Sequence, residues 1–263
     1  PDVICTIRSS ASAMLTAFKS QELSNVAWAF ATLAVHDMQF VNACSAQAAK
    51  DLNSFTPQGL SNLAWAYATL KLDDLTHLPA LGESVCALAP KFKPQELANV
   101  AWAFAKLQGH GLEVLNAIIR PAMVKLSAFA PHHLSCLAWA FATLNANHPP
   151  LLRAIAQAAG SKWNNFLPQG ISNLAWSLAK LKVYAEGLMR TFAMSAVDRT
   201  KDFSPQEMSM FMWSLATLRH YDRQLLRVIS RDVRERLHSF GAQDLSYTSW
   251  AFATLAVYEQ DLM

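Results

Sequence analysis

Amide, hydroxyl and ammonium side chains recur along this chain of 263 residues at a fixed step of 37. The step is marked by a phenylalanine, at Phe18, Phe55, Phe92, Phe129, Phe166, Phe203 and Phe240. Three residues after each stand Gln21, Gln58, Gln95, His132, Gln169, Gln206 and Gln243. Seven after it stand Asn25, Asn62, Asn99, Cys136, Asn173, Met210 and Tyr247, and fourteen after it Thr32, Thr69, Lys106, Thr143, Lys180, Thr217 and Thr254. An amide donates and accepts at once, which reading the edge of a nucleobase requires, while Lys and Thr suit phosphate or sugar. The seventh position is the stronger base-reading candidate: it varies between repeats while its surroundings barely change, whereas the Gln row is nearly uniform and secondary. Lys71, Lys106, Lys180, Lys182 and Arg219 are the candidates for phosphate contact. The structural alternative stays open, in which repeated Gln and Asn bond the neighbouring repeat in a ladder that fixes the stacking.

Such rows need a rigid carrier in every repeat. Two residues after the Phe comes Pro57, Pro94, Pro131, Pro168 or Pro205, replaced by Ser20 and Ala242 in the first and last repeats. Proline there suits the first turn of a helix, where its missing N–H costs nothing. Ser204 and Glu207 have the spacing of a capping box. From this start Leu60, Leu63, Ala64, Tyr67 and Leu70 fall at steps of three and four, the periodicity of an amphipathic helix, here helix A. A second helix, B, follows a short polar link such as Leu72 to Thr76 or Asn145 to Pro150; its apolar columns show in Val114, Leu115, Ile118, Ala122 and Leu126. Arg227, Arg231, Arg234, Glu235 and Arg236 give helix B the wetter face, and Pro121 is expected to bend or interrupt its copy. At 100° per residue the third, seventh and fourteenth positions lie within about 40° of one another, opposite the core columns, so they form one exposed row per helix.

Repetition at this period predicts an all-α solenoid, a superhelix of about seven helix-turn-helix repeats, with residues 1–263 as one continuous array. Residues 1–17 fit helix B of a truncated preceding repeat, and the chain stops as the seventh helix B should begin. The expectation is a piece of a longer protein, with any targeting peptide or further domain outside it. Trp28, Trp65, Trp102, Trp139, Trp176, Trp213 and Trp250 keep the same step. They read as packing wedges between repeats rather than as stacking platforms for bases. Ala at the thirteenth position, Ala31 to Ala253, lets adjacent helices approach closely.

Hydrophobic residues make up 52% and charged residues 16% of the chain, enough to bury a long core, and no apolar run approaches a membrane span. The net charge of +3 permits a polyanionic partner without demonstrating one. Lys and Arg balance Asp and Glu, 9 against 9, up to residue 131 and exceed them, 13 against 10, beyond it. Cys5, Cys44, Cys86 and Cys136 form no CxxC pair and read as free, mostly buried thiols. His132 and His133, adjacent on a helix, are expected to point to different sides, which is no metal-ligand arrangement. With no phosphate loop, HExxH or nucleophile motif, no enzyme, cofactor, metal or small-molecule ligand is expected.

The run Pro57 to Leu70, Pro-Gln-Gly-Leu-Ser-Asn-Leu-Ala-Trp-Ala-Tyr-Ala-Thr-Leu, and its six relatives resemble the octotricopeptide repeat, and the 37-residue step is similar to the related heptatricopeptide class. The resemblance covers essentially the whole chain. It implies paired antiparallel helices that bind single-stranded RNA in a mitochondrion or plastid, in transcript processing, stability, translation or ribosome assembly. Helices A would then line the concave side, with about one nucleotide per repeat. The alternative is a protein-binding scaffold subunit of a large organellar assembly such as a mitochondrial ribosome, with ribosomal RNA or protein as neighbours. An RNA reader gathers its Lys and Arg along the helix A edge, whereas a scaffold shows an apolar patch above the few hundred Å² typical of monomers.

Overall fold

The computed structural model describes residues 3–72 and 76–261, with the side chains of Ile4, Cys5 and residues 256–261 outside the description. The thiol expected at Cys5 and most of the link expected between Leu72 and Thr76 therefore lie outside the described residues. Phe18, Phe55, Phe92, Phe166, Phe203 and Phe240 sit in extended backbone, as at Phe55 with φ −80° and ψ 142°, between a three-residue 3-10 turn and a helix. The extended residue turns the chain from one helix axis to the next, and the Phe ring anchors the corner in the core. Phe92 and Phe129 are fully buried there.

The described residues form fourteen α-helices and no strand. Helices A are α2 (Ser20–Thr32), α4 (Pro57–Leu70), α6 (Pro94–Leu107), α8 (Pro131–Thr143), α10 (Pro168–Lys180), α12 (Pro205–Thr217) and α14 (Ala242–Asp261). Helices B are α1 (Val3–Met14), α3 (Met38–Ala49), α5 (Leu78–Leu88), α7 (Gly111–Lys125), α9 (Pro149–Gly160), α11 (Glu186–Arg199) and α13 (Arg223–Arg236). Every helix A begins at the position the sequence marks with Pro, Ser or Ala. At α12 the capping box forms: the Glu207 N–H donates to Ser204 Oγ at 3.3 Å and the Ser204 N–H to Glu207 Oε2 at 2.8 Å. Pro121 does not interrupt α7, which runs unbroken through it. One backbone bond is lost there, and Pro121 and Ala117, whose carbonyl loses its donor, are both on the half-buried flank where solvent can replace it.

No glycine marks the exits of helices A. Ala34, Lys71, Gln108, Asn145, Lys182 and Arg219, each sixteen residues after its Phe, adopt left-handed backbone with φ between 51° and 58°. Such a residue reverses the chain and lets the next N–H reach back to the helix, from Leu72 to the Tyr67 carbonyl at 3.2 Å and from Val183 to Leu178 at 2.8 Å. Gly or Asn ordinarily fills the place, and here only Asn145 belongs to that pair.

The structure falls into two compact units, Pro1–Lys125 and Leu126–Met263. In the first, α2 packs on α4 and α4 on α6; in the second, α8, α10, α12 and α14 pack in succession. In both, helices A meet through small residues: Ala66, Ala103, Ala140, Ser177 and Ser214 are fully buried. The expected thirteenth-position alanines are buried from Ala31 to Ala216, and Ala253 is exposed. The core columns come out as the helical spacing requires, with Leu60, Leu63, Leu97, Leu134 and Ile171 all at 0% exposure. No described helix is long and apolar enough to cross a membrane.

A second device closes four of the repeats. Lys125 Nζ donates to the Phe92 carbonyl at 2.6 Å and the Pro90 carbonyl at 2.8 Å, and Lys162 does the same to Phe129 and Ser127. Arg199 donates to the Phe166 carbonyl at 3.1 Å and Arg236 to Phe203 at 2.8 Å. A cation at the end of helix B thus holds the corner that opened its own repeat, satisfying carbonyls that no helix uses. The first two repeats carry Asp51 and Leu88 at this place and form their corners without it. Arg236, grouped by sequence with a solvated face, is half-buried and pairs with buried Asp232.

Candidate nucleic-acid interface

The amide rows lie where helical rotation puts them. Gln21, Gln58, Gln95, His132, Gln169, Gln206 and Gln243 are all exposed. Asn25 is exposed, whereas Asn62, Asn99, Cys136, Asn173, Met210 and Tyr247 are half-buried, sunk between adjacent helices A. Among the described residues no protein group bonds the side-chain amides of Asn25, Asn62, Asn99 and Asn173, nor those of Gln21, Gln58, Gln95, Gln169 and Gln206. Gln243 Nε2 donates to Tyr247 Oη at 3.3 Å, within one helix. Between α2 and α4 the two rows meet, where Gln21, Asn25, Gln58 and Asn62 line a hollow of about 220 Å³.

Serines bridge adjacent helices A at two interfaces of the second unit. Ser172 Oγ donates to the Glu207 carbonyl of the next helix A at 2.9 Å, and Ser209 Oγ to Asp244 Oδ1 at 3.2 Å. Elsewhere the serine column stays within its own helix: Ser24 Oγ donates to the Gln21 carbonyl at 3.0 Å and Ser135 Oγ to the His132 carbonyl at 2.9 Å, and Ser61 Oγ has no partner. Among the described residues the amides make no hydrogen bond from one helix A to the next.

The tryptophans are less buried than a core wedge between repeats. Trp28 and Trp250 are 46% exposed, and Trp65, Trp102, Trp139, Trp176 and Trp213 are only half-buried, unlike a core wedge. Packing between repeats is seen at Trp213, which lies 6.2 Å from Trp250 and 6.2 Å from Tyr247, on the next helix A. The exposed part of each ring faces outward with the polar rows. The signal was present in the sequence, since at 100° per residue the tenth position falls within about 60° of the third, seventh and fourteenth.

Lys71 and Lys106 in the first unit, and Lys180, Lys182 and Arg219 in the second, stand at or just beyond the C-terminal ends of their helices A. Lys71, Lys106, Lys180, Lys182 and Arg219 are all exposed. Lys106 Nζ stands 6.0 Å from the Trp102 ring centroid and Lys180 Nζ 4.8 Å from that of Trp176. Between α4 and α6, Thr69, Lys71, Trp102 and Lys106 line a hollow of about 430 Å³. In the repeats that carry Thr, the hydroxyls of Thr32 and Thr254 donate to the carbonyls of Trp28 and Trp250 at 2.8 Å. Thr69, Thr143 and Thr217 keep buried hydroxyl oxygens without a protein partner.

His132 and His133 do not point apart: their ring centroids are 3.8 Å from one another. Side-chain torsion swings the rings together although their Cβ atoms diverge by about 100°. Burial, reinforced by the neighbouring His132, pushes His133 down to about 4, so it is neutral at physiological pH. Burial raises the Cys44 thiol to about 12 and also raises Cys86 and Cys136; all three are free. Thiols so shifted are poor nucleophiles.

Compared with known proteins, residues 3–261 match the family described as RNA-editing substrate-binding complex 6 protein. No curated protein matches the chain.

Proposed function

The chain belongs to the RNA-editing substrate-binding complex 6 protein family, and from that premise we propose that it binds single-stranded RNA along the outward rows of its helices A. It acts in RNA processing in an organelle, by binding and not by catalysis. The observation that carries the reading is the set of Gln and Asn amides in the third and seventh rows, exposed or half-exposed and, Gln243 apart, without protein partners. Side chains that can donate and accept, repeated once per helix pair, suit the edges of unstacked bases. The family's description names a complex, which supports protein neighbours beside RNA. Of the compartments implied by the octotricopeptide and heptatricopeptide resemblance, the mitochondrion is the one this reading retains, and membership of that repeat class is part of the proposal.

The test is retention of short random single-stranded RNAs at two salt concentrations, with the retained pool sequenced. Enrichment of a short motif with a steep salt slope is expected. Asn62→Ala and Asn173→Ala should each weaken binding by about 1–3 kcal/mol while leaving the unfolding midpoint in place. No retention above background would overturn the reading and return the weight to protein neighbours alone.

A further inference from the structure

We propose that the tryptophans of helices A are the platform on which RNA bases stack, and that the residue one turn later decides what each repeat adds to it. The proposal rests on the RNA-binding reading above and names the contact that reading lacks.

Exposure is the first observation. The aromatic two positions further along, Phe30, Tyr67, Phe104 or Phe141, is at most 4% exposed, as an interhelical wedge should be, whereas no helix A tryptophan is fully buried. Position is the second. Each indole lies between the amides toward the start of its helix and the Thr or Lys toward its end, so a base on the ring has its edge near the seventh row and its phosphate near the fourteenth. Continuity is the third. The 6.2 Å approach and 33° tilt of Trp213 and Trp250 bring these two indoles, on successive helices A of the second unit, into one track.

The fourteenth position then gives three kinds of repeat, the first being Thr69, Thr143 and Thr217, whose buried hydroxyl oxygens have no protein partner. Where it is Thr32 or Thr254 the hydroxyl bonds the helix backbone and leaves the ring uncovered. Where it is Lys106 or Lys180 an ammonium stands over the ring, placed to meet the phosphate beside a stacked base. Stacking on an aromatic is tolerant of sequence because every base has a π-face. An unvarying tryptophan is therefore what a platform requires, and variation is left to the seventh position. The uniformity that counts against the Gln row as a code is the expected property of this one.

Binding of a labelled single-stranded 12-nucleotide RNA to the whole chain tests this. Trp65→Leu should bind roughly tenfold more weakly or worse, and Trp65→Phe should recover much of the loss. Trp163→Phe, in the 3-10 turn off the row, should change nothing. The unsubstituted chain provides a readout independent of any variant's folding: seven of its eight tryptophans lie on the row, so RNA should quench its indole emission. RNA that binds without altering that emission, or Leu and Phe variants that bind as the unsubstituted chain does, would overturn the platform and leave the RNA reading standing. Equal losses in both variants with lowered unfolding midpoints would make Trp65 structural. An unsubstituted chain that retains no RNA would remove the parent reading, and the platform with it.

Discussion

The two ends of a repeat use positive charge in opposite ways. At the end of helix B, Lys125, Lys162, Arg199 and Arg236 fold back onto carbonyls of their own repeat. Along the edge of helix A, Lys71, Lys180 and Lys182 extend into solvent and hold no carbonyl or carboxylate. Net charge does not separate the two. Beyond residue 131 the chain has 13 Lys and Arg against 10 Asp and Glu, yet Lys162, Arg199 and Arg236 among those cations are bound to their own corners. An excess of three is thus no footprint of a polyanion, and the cations that matter for a partner are those with nothing to hold. If this division is right, removing corner cations should cost stability and leave the salt dependence of RNA binding alone, and removing edge cations should do the reverse.

The largest effect is expected at Arg236. Its guanidinium bridges the Phe203 and Thr200 carbonyls and the carboxylate of Asp232, whose side chain is 4% exposed. Arg236→Ala leaves that carboxylate buried and unpaired, a loss of about 3 kcal/mol. Adding Asp232→Ala should restore part of it, because an uncompensated charge is worse than none. Denaturant midpoints of the single and double variants check this, and a double variant as unstable as the single would show that the corner bonds, not the ion pair, are the main contribution.

Lys125 has no carboxylate partner in the corner and isolates the bonds themselves. Lys125→Met, which keeps the aliphatic stem, should lose about 2 kcal/mol for two charge-assisted bonds. Unchanged stability would mean that these corners need the clamp no more than those of the first two repeats do. The converse change is Asp51→Lys, which places a cation 33 residues after Phe18 where the first repeat has none. A gain of about 1 kcal/mol in unfolding free energy, read as a higher urea midpoint at constant slope, is expected.

The sequence made the frame of each repeat legible because its signals are local and repeated seven times. Pro at the first turn, the Ser204 to Glu207 box and the three-and-four spacing of the core Leu act through neighbouring backbone, so they survive any tertiary context. The corner clamp was equally visible as a basic residue every 37 positions from Lys125 to Arg236, but its target lies 33 residues back and no pattern names a carbonyl. The outward tryptophan was obscured by hydrophobicity: its rotation pointed to the polar face, and its composition pointed inward. The His132 and His133 contact depends on side-chain torsions, which spacing along a helix does not determine. The left-handed exits escaped notice because their usual mark, Gly, is absent at all six.

Those exits provide the smallest expected effect and the one that separates the two uses of charge most cleanly. Lys71 and Lys182 stand at φ 53° and 55°, where a side chain crowds the following carbonyl and Gly does not. A residue chosen for the fold at this place would be Gly, and two of the six are exposed lysines with nothing to hold. Lys71→Gly should therefore raise the unfolding free energy slightly, by about 0.5–1 kcal/mol, while weakening RNA binding at low salt and reducing the slope of log K against log salt by about 1. The same substitution at Gln108, which shares the left-handed backbone without the charge, should give the stability gain alone. A Lys71→Gly chain that is more stable and binds RNA with an unchanged slope would place the phosphate contacts elsewhere on the face. A chain that loses stability would show that the Lys71 stem packs where its exposure gives no sign of it.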